Sequence, residues 1–563
     1  MSWEIALTEI IEQIKLQNIT AQASLNFLKR DISKKYKLPR TPTNIEILLS
    51  LPEEAIPDYK KILLTKPTRT ISGVSPVAIM TKPDRCPHGK CTFCPGGINS
   101  PWGDVPQSYS GHEPATMRGI RNDYDAYLQV FNRLQQYVLL GQTLDKIEII
   151  VMGGTFTATP KEYQEEFILG AFQAMNDFSE LFFDQNGEVD YLKFKQYFLL
   201  PGKLHDKVRE EKIKQKVAEN KLRRVTTLEE EQVKNENSAV RCVALCIETK
   251  PDWGFLEHGN EMLRQGCTRV ELGIQSVYDD VLEYVHRGHT TQDSIKSIQI
   301  LRDLGFKINF HYMPGLPLTN YKRDMDGMKQ LFSDPDYCPD MIKLYPCMVG
   351  PGTALYHQWK KGEFTPITTE EAAKRVAEFY DFVPEYCRIQ RVQRDVPTKF
   401  WEAGVDRTNL RQYADEKYGV SSRDIRAREP KGKDINWENI QIRVTEFAAS
   451  KGKEFFIQAE DPQNDVIIGF CRLRFPKEFL REEIIEGSAL LRELHVYGTA
   501  TAIGEKGVVQ HKGWGRKLME KAEEIAKEHG KIKMVVISGV GVKEYYRKKL
   551  GYHKEGPYMV KEL

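Results

Sequence analysis

The chain has 563 residues, enough for roughly two to four domains and more than one core. Charged residues make up 28% of it, yet the formal net charge is only +2, so any nucleic-acid contact must come from local patches. The acidic start M-S-W-E-I-A-L-T-E-I excludes a signal peptide, no apolar run reaches the ~18 residues of a membrane span, and ten cysteines suit a reducing, cytoplasmic setting rather than a disulfide framework.

In residues 1–70, Ile5, Ile10, Ile11, Ile14, Leu25, Leu28 and Ile32 recur at helical spacing and predict a small helical subdomain. Basic residues outnumber the single acid Asp31 between Lys15 and Arg40, with Lys60, Lys61, Lys66 and Arg69 beyond. This is either a solvated face or a footprint for a phosphate backbone. The proline-studded stretch Pro52–Pro76 reads as an extended connection into a domain over 71–395.

That domain opens with C-P-H-G-K-C-T-F-C-P-G-G, which places Cys86, Cys91 and Cys94 within nine residues. A loop this short can wrap three thiolates around one face of a [4Fe-4S] cubane and leave its fourth iron open. The rival is a structural zinc site, which needs a fourth ligand; His88 is the local candidate. Three-thiolate ligation with an open iron resembles radical-SAM enzymes, in which the iron chelates S-adenosylmethionine (SAM) and one electron releases a 5′-deoxyadenosyl radical.

From residue 77 a βα rhythm begins. Strands starting at Val77, Ile147, Cys242, Val270, Ile308 and Met341 alternate with helical patterns over 124–140, 161–175 and 292–304. Six units predict an α/β fold, a parallel sheet curled into a partial (β/α)6 barrel. In the later strands Val270, Leu272 and Ile274 share one face while Glu271, Gly273 and Gln275 share the other; His311 and Lys343 recur on the polar face, which should line a cavity. Chemistry in such barrels sits at the C-terminal ends of the strands, so Cys94, Gly153, Gln275, His311 and Tyr345 should gather there. Gly153, Gly154, Gln275 and His311 are the candidate SAM contacts.

Residues 184–238 read as a charged insertion, a solvated helix or excursion, and 396–438 as a basic linker. Around that linker, Tyr386, Phe400, Trp401 and Tyr413 interleave with arginines and lysines, as a looped or single-stranded RNA would require. Cys338, Cys347 and Cys387 are either buried core thiols or part of a second metal site. Residues 439–563 form a separate α/β unit. Its turn Gln510-His-Lys-Gly513-Trp514-Gly515-Arg516 between strand and helix offers backbone amides to a pyrophosphate and resembles the acetyl-CoA site of GNAT N-acetyltransferases. Glu493, His495 and Tyr497 share a strand face expected near the thioester, and Tyr545 or Tyr546 is the candidate thiol-facing tyrosine, which makes Glu493, His495, Tyr545 and Tyr546 the candidate catalytic residues.

With the cysteine loop, Q-S-Y-S-G-H-E-P, V-M-G-G-T-F, E-L-G-I-Q-S, H-Y-M-P-G-L-P, R-E-L-H-V-Y-G, Q-H-K-G-W-G and I-S-G-V-G-V-K-E-Y-Y-R-K, the chain from about residue 70 resembles the catalytic subunit of Elongator in its archaeal or bacterial single-protein form. The resemblance implies a radical-SAM barrel followed by a GNAT domain. It also implies a tRNA carboxymethyluridine synthase acting at C5 of the wobble uridine, with a [4Fe-4S] cluster, SAM and acetyl-CoA. It places cluster ligands on Cys86, Cys91 and Cys94, and acetyl-CoA contacts on Lys146, Glu493, Leu494, His495, Val496, Trp514, Gly515, Arg516 and Tyr546. On this reading a methyl-derived radical of acetyl-CoA adds to the uridine, and thioester hydrolysis leaves the carboxymethyl group. Partners are tRNA and a one-electron reductant protein, with homodimerisation left open. The alternative is a protein lysine acetyltransferase with a structural cluster; an RNA-binding scaffold is a third reading.

Overall fold

The structure is a computed structural model that describes residues 2–65, 73–202, 206–497 and 513–563. Helices Ser2–Leu16, Gln22–Lys35, Asn44–Ser50 and Ile56–Leu63 build the N-terminal subdomain. Ala6, Ile10, Ile14, Leu25, Ile32 and Ile47 are buried there, whereas Ile5, expected inside, is 48% exposed. A capping box between Thr43 and Glu46 starts the third helix. The helix Ile56–Leu63 replaces the extended connection expected here, because Ile56, Ile62 and Leu63 find an apolar surface to cover. Lys66 and Arg69 lie outside the described residues.

The central sheet has seven parallel strands rather than six. They are β1 (Ser75–Met80) and, after a small hairpin of β2 (Gly97–Ser100) and β3 (Gly103–Val105), β4 (Lys146–Met152), β5 (Arg241–Thr249), β6 (Arg269–Gln275), β7 (Lys307–Tyr312), β8 (Met341–Leu344) and β9 (Arg388–Arg391). Their order is β1-β4-β5-β6-β7-β8-β9, each strand beside the next in sequence apart from the hairpin. This is the product of repeated right-handed βα crossovers. The strand β9 hides in the sequence because its residues, R-I-Q-R, look like a charged loop; only Ile389 is fully inside.

Two charged segments are structured elements. In 184–238, the helices Tyr191–Tyr197, Lys207–Lys221 and Leu228–Asn235 pack on the long helix Lys161–Phe182 and bury Phe194, Phe198 and Leu228. Asn176 Nδ2 donates to the Glu231 carbonyl at 2.8 Å and Asn220 Nδ2 to the Tyr127 hydroxyl at 2.8 Å, so this excursion is bolted down by buried polar bonds. Residues 396–438 carry helices Leu410–Tyr418 and Ile425–Arg428 with Leu410, Ala414 and Ile425 fully buried, which corrects the linker reading. Cys338, Cys347 and Cys387 are buried and gather no metal-ligand set among the described residues.

The second sheet runs β10 (Gln441–Ala449), β11 (Gly452–Asp461), β12 (Val466–Phe475), β13 (Ser488–Val496), β14 (Lys533–Val536), β16 (Tyr558–Glu562), β15 (His553–Glu555) in spatial order. Only β13 and β14 pair in parallel, over Ser488–Leu491, where β14 ends at Val536 while β13 runs on to Val496. The helix Trp514–Glu528 packs on β11, β12 and β13.

This sheet is welded to the N-terminal ends of the barrel strands. Arg492 donates to Asp340 at 2.7 Å and to Glu454 at 2.9 Å, Arg474 to Asp303 at 2.6 Å, and Arg472 to Glu493 at 2.8 Å, with the arginines all buried. Lys307 at the start of β7 closes on Glu493. Desolvating so many charges offsets much of their attraction, so the network contributes more to fixing one arrangement of the two domains than to net stability.

Candidate functional site

The cysteine loop sits over the C-terminal ends of the strands. Its backbone is held by Thr92 N–H to Val285 O (3.1 Å), Leu355 N–H to Thr92 O (2.9 Å) and Gln107 Nε2 to Gly89 O (3.0 Å). Each sulfur has a polar neighbour: Ser108 N–H donates to Cys94 Sγ at 3.0 Å, His88 Nε2 lies 3.2 Å from Cys91 Sγ, and the Thr155 hydroxyl lies 3.5 Å from Cys86 Sγ. The Arg287 guanidinium lies 3.7 Å from Cys91 Sγ. Burial pushes the Cys94 thiol up to about 12 and raises that of Cys86, the charge of Cys91 adding to both. Uncompensated, these thiols stay protonated; a cluster carrying positive charge is what makes them thiolates.

The spread of the sulfurs separates the two readings of the loop. One zinc ion with bonds of about 2.3 Å holds its sulfurs about 3.8 Å apart. Among the described residues, the only set of three or more such ligands lying within 4.8 Å of one another is Glu248, Glu271 and His311. The three cysteines are therefore too far apart for one ion and suit a larger iron–sulfur group.

The glycine pair lands where the sequence placed it. Gly153 (φ +126°) and Gly154 (φ +66°) follow β4 in conformations that side chains avoid. A Cβ on Gly153 would lie 2.1 Å from Thr81 Oγ1, and one on Gly154 3.7 Å from Cys86 Sγ. Gln275 ends β6 at φ +63°, buried, its Oε1 without a partner. His311 lies one layer deeper, its Nε2 2.7 Å from Glu271 Oε2. Lys343 closes on the same carboxylate and stands 3.5 Å from Glu248, whose other oxygen accepts from the Tyr109 hydroxyl at 2.6 Å. An ammonium thus already fills the centre of the acidic set. Glu271 is buried; Lys343, together with His311 and Arg269, keeps its carboxyl well below the usual range. Tyr345 meets the His311 ring edge-on at 5.5 Å. Tyr109, Glu248, Lys250 and Arg287 were not singled out in the sequence. The Q-S-Y-S-G-H-E-P motif contains the first; Glu248 and Lys250 sit at the C-terminal end of β5, where such residues are sought, and Arg287 follows a helix after β6.

In the second domain the strand faces reverse the expectation. Glu493, His495 and Tyr497 point at the barrel. Glu493 is gripped by Lys307 and Arg472, its carboxyl driven down to about 2 because these cations outweigh its burial. His495 stacks near Phe470 and Tyr497 (centroids 5.6 and 4.4 Å), its Nε2 has no partner, and burial pulls its pKa down to about 4. The Tyr497 hydroxyl donates to Glu429 at 3.4 Å. Leu494 and Val496 face the other way, toward the helix Trp514–Glu528. There a Cβ on Gly515 would lie 2.9 Å from the Tyr545 hydroxyl and 3.7 Å from Val496 Cγ2. Trp514 is buried under Lys517, Arg516 is exposed with its guanidinium on Lys549 O (3.0 Å), and Gly513 caps the helix at φ +73°. Tyr546 is packed against Tyr552 in the core, while the Tyr545 hydroxyl reaches the helix start at Gly515. Gln510 lies outside the described residues. Lys146 starts β4 beside Arg241, at the barrel end against which Gly541 of the second domain is pressed.

Family models match along the chain: the ELP3 N-terminal domain (4–71), the Radical SAM superfamily (200–326), the Radical_SAM C-terminal domain (339–418) and the Acetyltransferase (GNAT) family (421–552). A tRNA uridine(34) acetyltransferase of Methanocaldococcus jannaschii is 44% identical over 535 residues, 93% of this chain and 90% of its own. The Elongator complex protein 3 of Bos taurus is 37% identical over 580 residues, 99% of this chain and 97% of its own. The chain belongs to the Elongator complex protein 3 family. The solved structure of Methanocaldococcus infernus Elp3, lacking residues 1–46, superposes with a TM-score of 0.71 at 39% identity over 88% of this chain and all of that one. The radical-SAM and GNAT architecture expected from the motifs is that of the family. Among the described residues no helix is long and apolar enough to cross a membrane.

Proposed function

We propose that this protein modifies the wobble uridine of tRNA, installing a carboxymethyl group at C5 with acetyl-CoA as the carbon source. The observation that carries the proposal is the convergence of three widely spread thiols and a strained glycine pair at the open end of a barrel whose other end is fixed to a GNAT-type sheet. Names of relatives that act on tRNA uridine(34) support it. When bound to Cys86, Cys91 and Cys94, a [4Fe-4S] cluster would supply the electron that cleaves SAM to a 5′-deoxyadenosyl radical.

The rest falls to the chain's own groups. The backbone of Gly153 and Gly154 takes the amino-acid part of SAM, and the unpartnered Gln275 Oε1 offers an acceptor beside it. The buried Lys343–Glu271–His311 set gives the lumen fixed charge and a proton-carrying imidazole next to the base. Acetyl-CoA would be held by the Gly513–Arg516 turn, whose backbone amides suit a pyrophosphate, together with β13 and Tyr545, and would supply the acetyl carbon. Glu493 and His495, assigned a catalytic role from sequence, serve as the interface that holds this strand in place; Lys146 marks the same junction.

Binding of tRNA uses the exposed Lys15, Arg30, Lys34 and Lys37 of the N-terminal helices, and the mouth residues Arg394 and Lys399 beside Phe400. A one-electron reductant protein, a cytoplasmic setting and an open question of dimerisation complete the reading. Anaerobic incubation with tRNA, SAM, acetyl-CoA and dithionite, followed by nucleoside mass spectrometry, tests it. Carboxymethyluridine that requires all four components is the expected result. Acetyl-lysine formed equally with and without SAM, and no modified nucleoside, would reject it.

A further inference from the structure

His88 lies between the first two cysteines and is used by none of the steps above. Its Nε2 is 3.2 Å from Cys91 Sγ, while its Nδ1 is buried without a partner. A sulfur bound to iron carries no proton, so this contact survives in the loaded protein only if Nε2 holds the hydrogen and donates it. The ring cannot swing away easily. Gly288, at φ +75°, lets the chain pass so close that a Cβ there would lie 2.3 Å from His88 Cβ. Cys94 receives a backbone N–H and Cys86 neighbours a hydroxyl, whereas Cys91 has the His88 ring at 3.2 Å and, more distantly, Arg287 Nη1 at 3.7 Å.

We propose that His88 is a positioning residue of the cluster, its Nε2–H donating to the Cys91 sulfur and thereby setting the reduction potential of the iron–sulfur group. A donor to a ligand sulfur draws off electron density and favours the reduced state; removing it makes the cluster harder to reduce. The inference rests on the reading of the thiol loop given above.

The test compares wild type, His88→Leu and His88→Gln, each reconstituted anaerobically and titrated by EPR against potential. At a fixed potential the ratio of reduced to oxidised cluster should fall about tenfold in the leucine variant, ~59 mV for a one-electron couple. The glutamine variant, which keeps an N–H, should stay near wild type. Equal potentials in all three, or equal shifts in both variants, would overturn the inference while leaving the proposed function standing. A wild type that holds no iron would overturn both. Should the leucine variant hold no cluster, pulsed EPR of wild type labelled with ¹⁵N-histidine decides. A weak nitrogen coupling supports a hydrogen bond; no coupling, or one strong enough for a direct iron–nitrogen bond, rejects it.

Discussion

The two ends of the barrel are built on opposite principles. At the N-terminal ends of the strands, Arg472, Arg474 and Arg492 are buried against Asp303, Asp340, Glu454 and Glu493 and answered at hydrogen-bond distance, with Arg302 Nε and Nη1 and His495 Nε2 the buried exceptions. At the C-terminal ends, thiols with raised pKa values, two left-handed glycines, an unpartnered Gln275 amide oxygen and an unpartnered His88 nitrogen are left waiting. A saturated end can only hold; an unsaturated end can bind. Unmet polar groups in a buried site cost folding energy, and they persist where a ligand meets them.

The contrast breaks most sharply with Cys91→Ser. Deoxyadenosine formation should fall to background while acetyl-CoA binding, measured by calorimetry, is unchanged, because the two sites lie on different domains. Deoxyadenosine at the wild-type rate would remove the thiol loop from the chemistry. At the saturated end, Asp340→Asn takes a full charge from between Arg472 and Arg492 and should cost about 3–5 kcal/mol in urea unfolding, with cluster content in the native protein unaffected. A loss below 1 kcal/mol would show that the network is dispensable.

Gly153→Ala acts on the open end. Its Cβ would collide with Thr81 Oγ1 at a φ of +126°, for about 1–3 kcal/mol of strain and a displaced Gly154. SAM affinity should drop while acetyl-CoA affinity holds; equilibrium dialysis reads both. His495 gives the interface a pH signature. Its folded pKa of about 4 lies below the ordinary 6.5, so the unfolded chain binds more protons between these values, and stability falls as pH drops through that window. Below it, Glu493, at about 2 against 4.5, loses its contribution in the same direction. His495→Phe should flatten thermal stability between pH 6.5 and 4 and leave the lower step; an unchanged slope would exclude His495 as its source. The smallest effect belongs to neither end. Lys214→Gln breaks an exposed pair with Asp123 and should change stability by less than about 0.5 kcal/mol.

Local pattern was enough to find the three cysteines, the Gly153–Gly154 turn, the alternating faces of β6 and β7 and the glycine-capped helix at Trp514. Each depends on residues close together in the chain, where spacing fixes geometry. The small strand β9 and the helices of 396–438 were hidden, and the packing of 184–238 was missed, because their charged residues read as solvated, although a few apolar side chains such as Phe194, Leu228 and Leu410 were enough to anchor them. The facing of β13 was the sharper miss. Period-two alternation grouped Glu493 with His495 and Tyr497 correctly, but alternation does not say which face meets a neighbouring domain.

The sequence by itself determined which residues are candidates for the chemistry, since thiolates, glycines and helix-starting amides act through what they are and how far apart they stand along the chain. Only the tertiary structure decided that Glu493 answers Lys307, that Tyr545 rather than Tyr546 reaches the helix start at Gly515, and that His88 leans on Cys91. Those assignments depend on contacts between segments far apart in sequence or on which way a helix is turned, and packing of the whole molecule is what sets them.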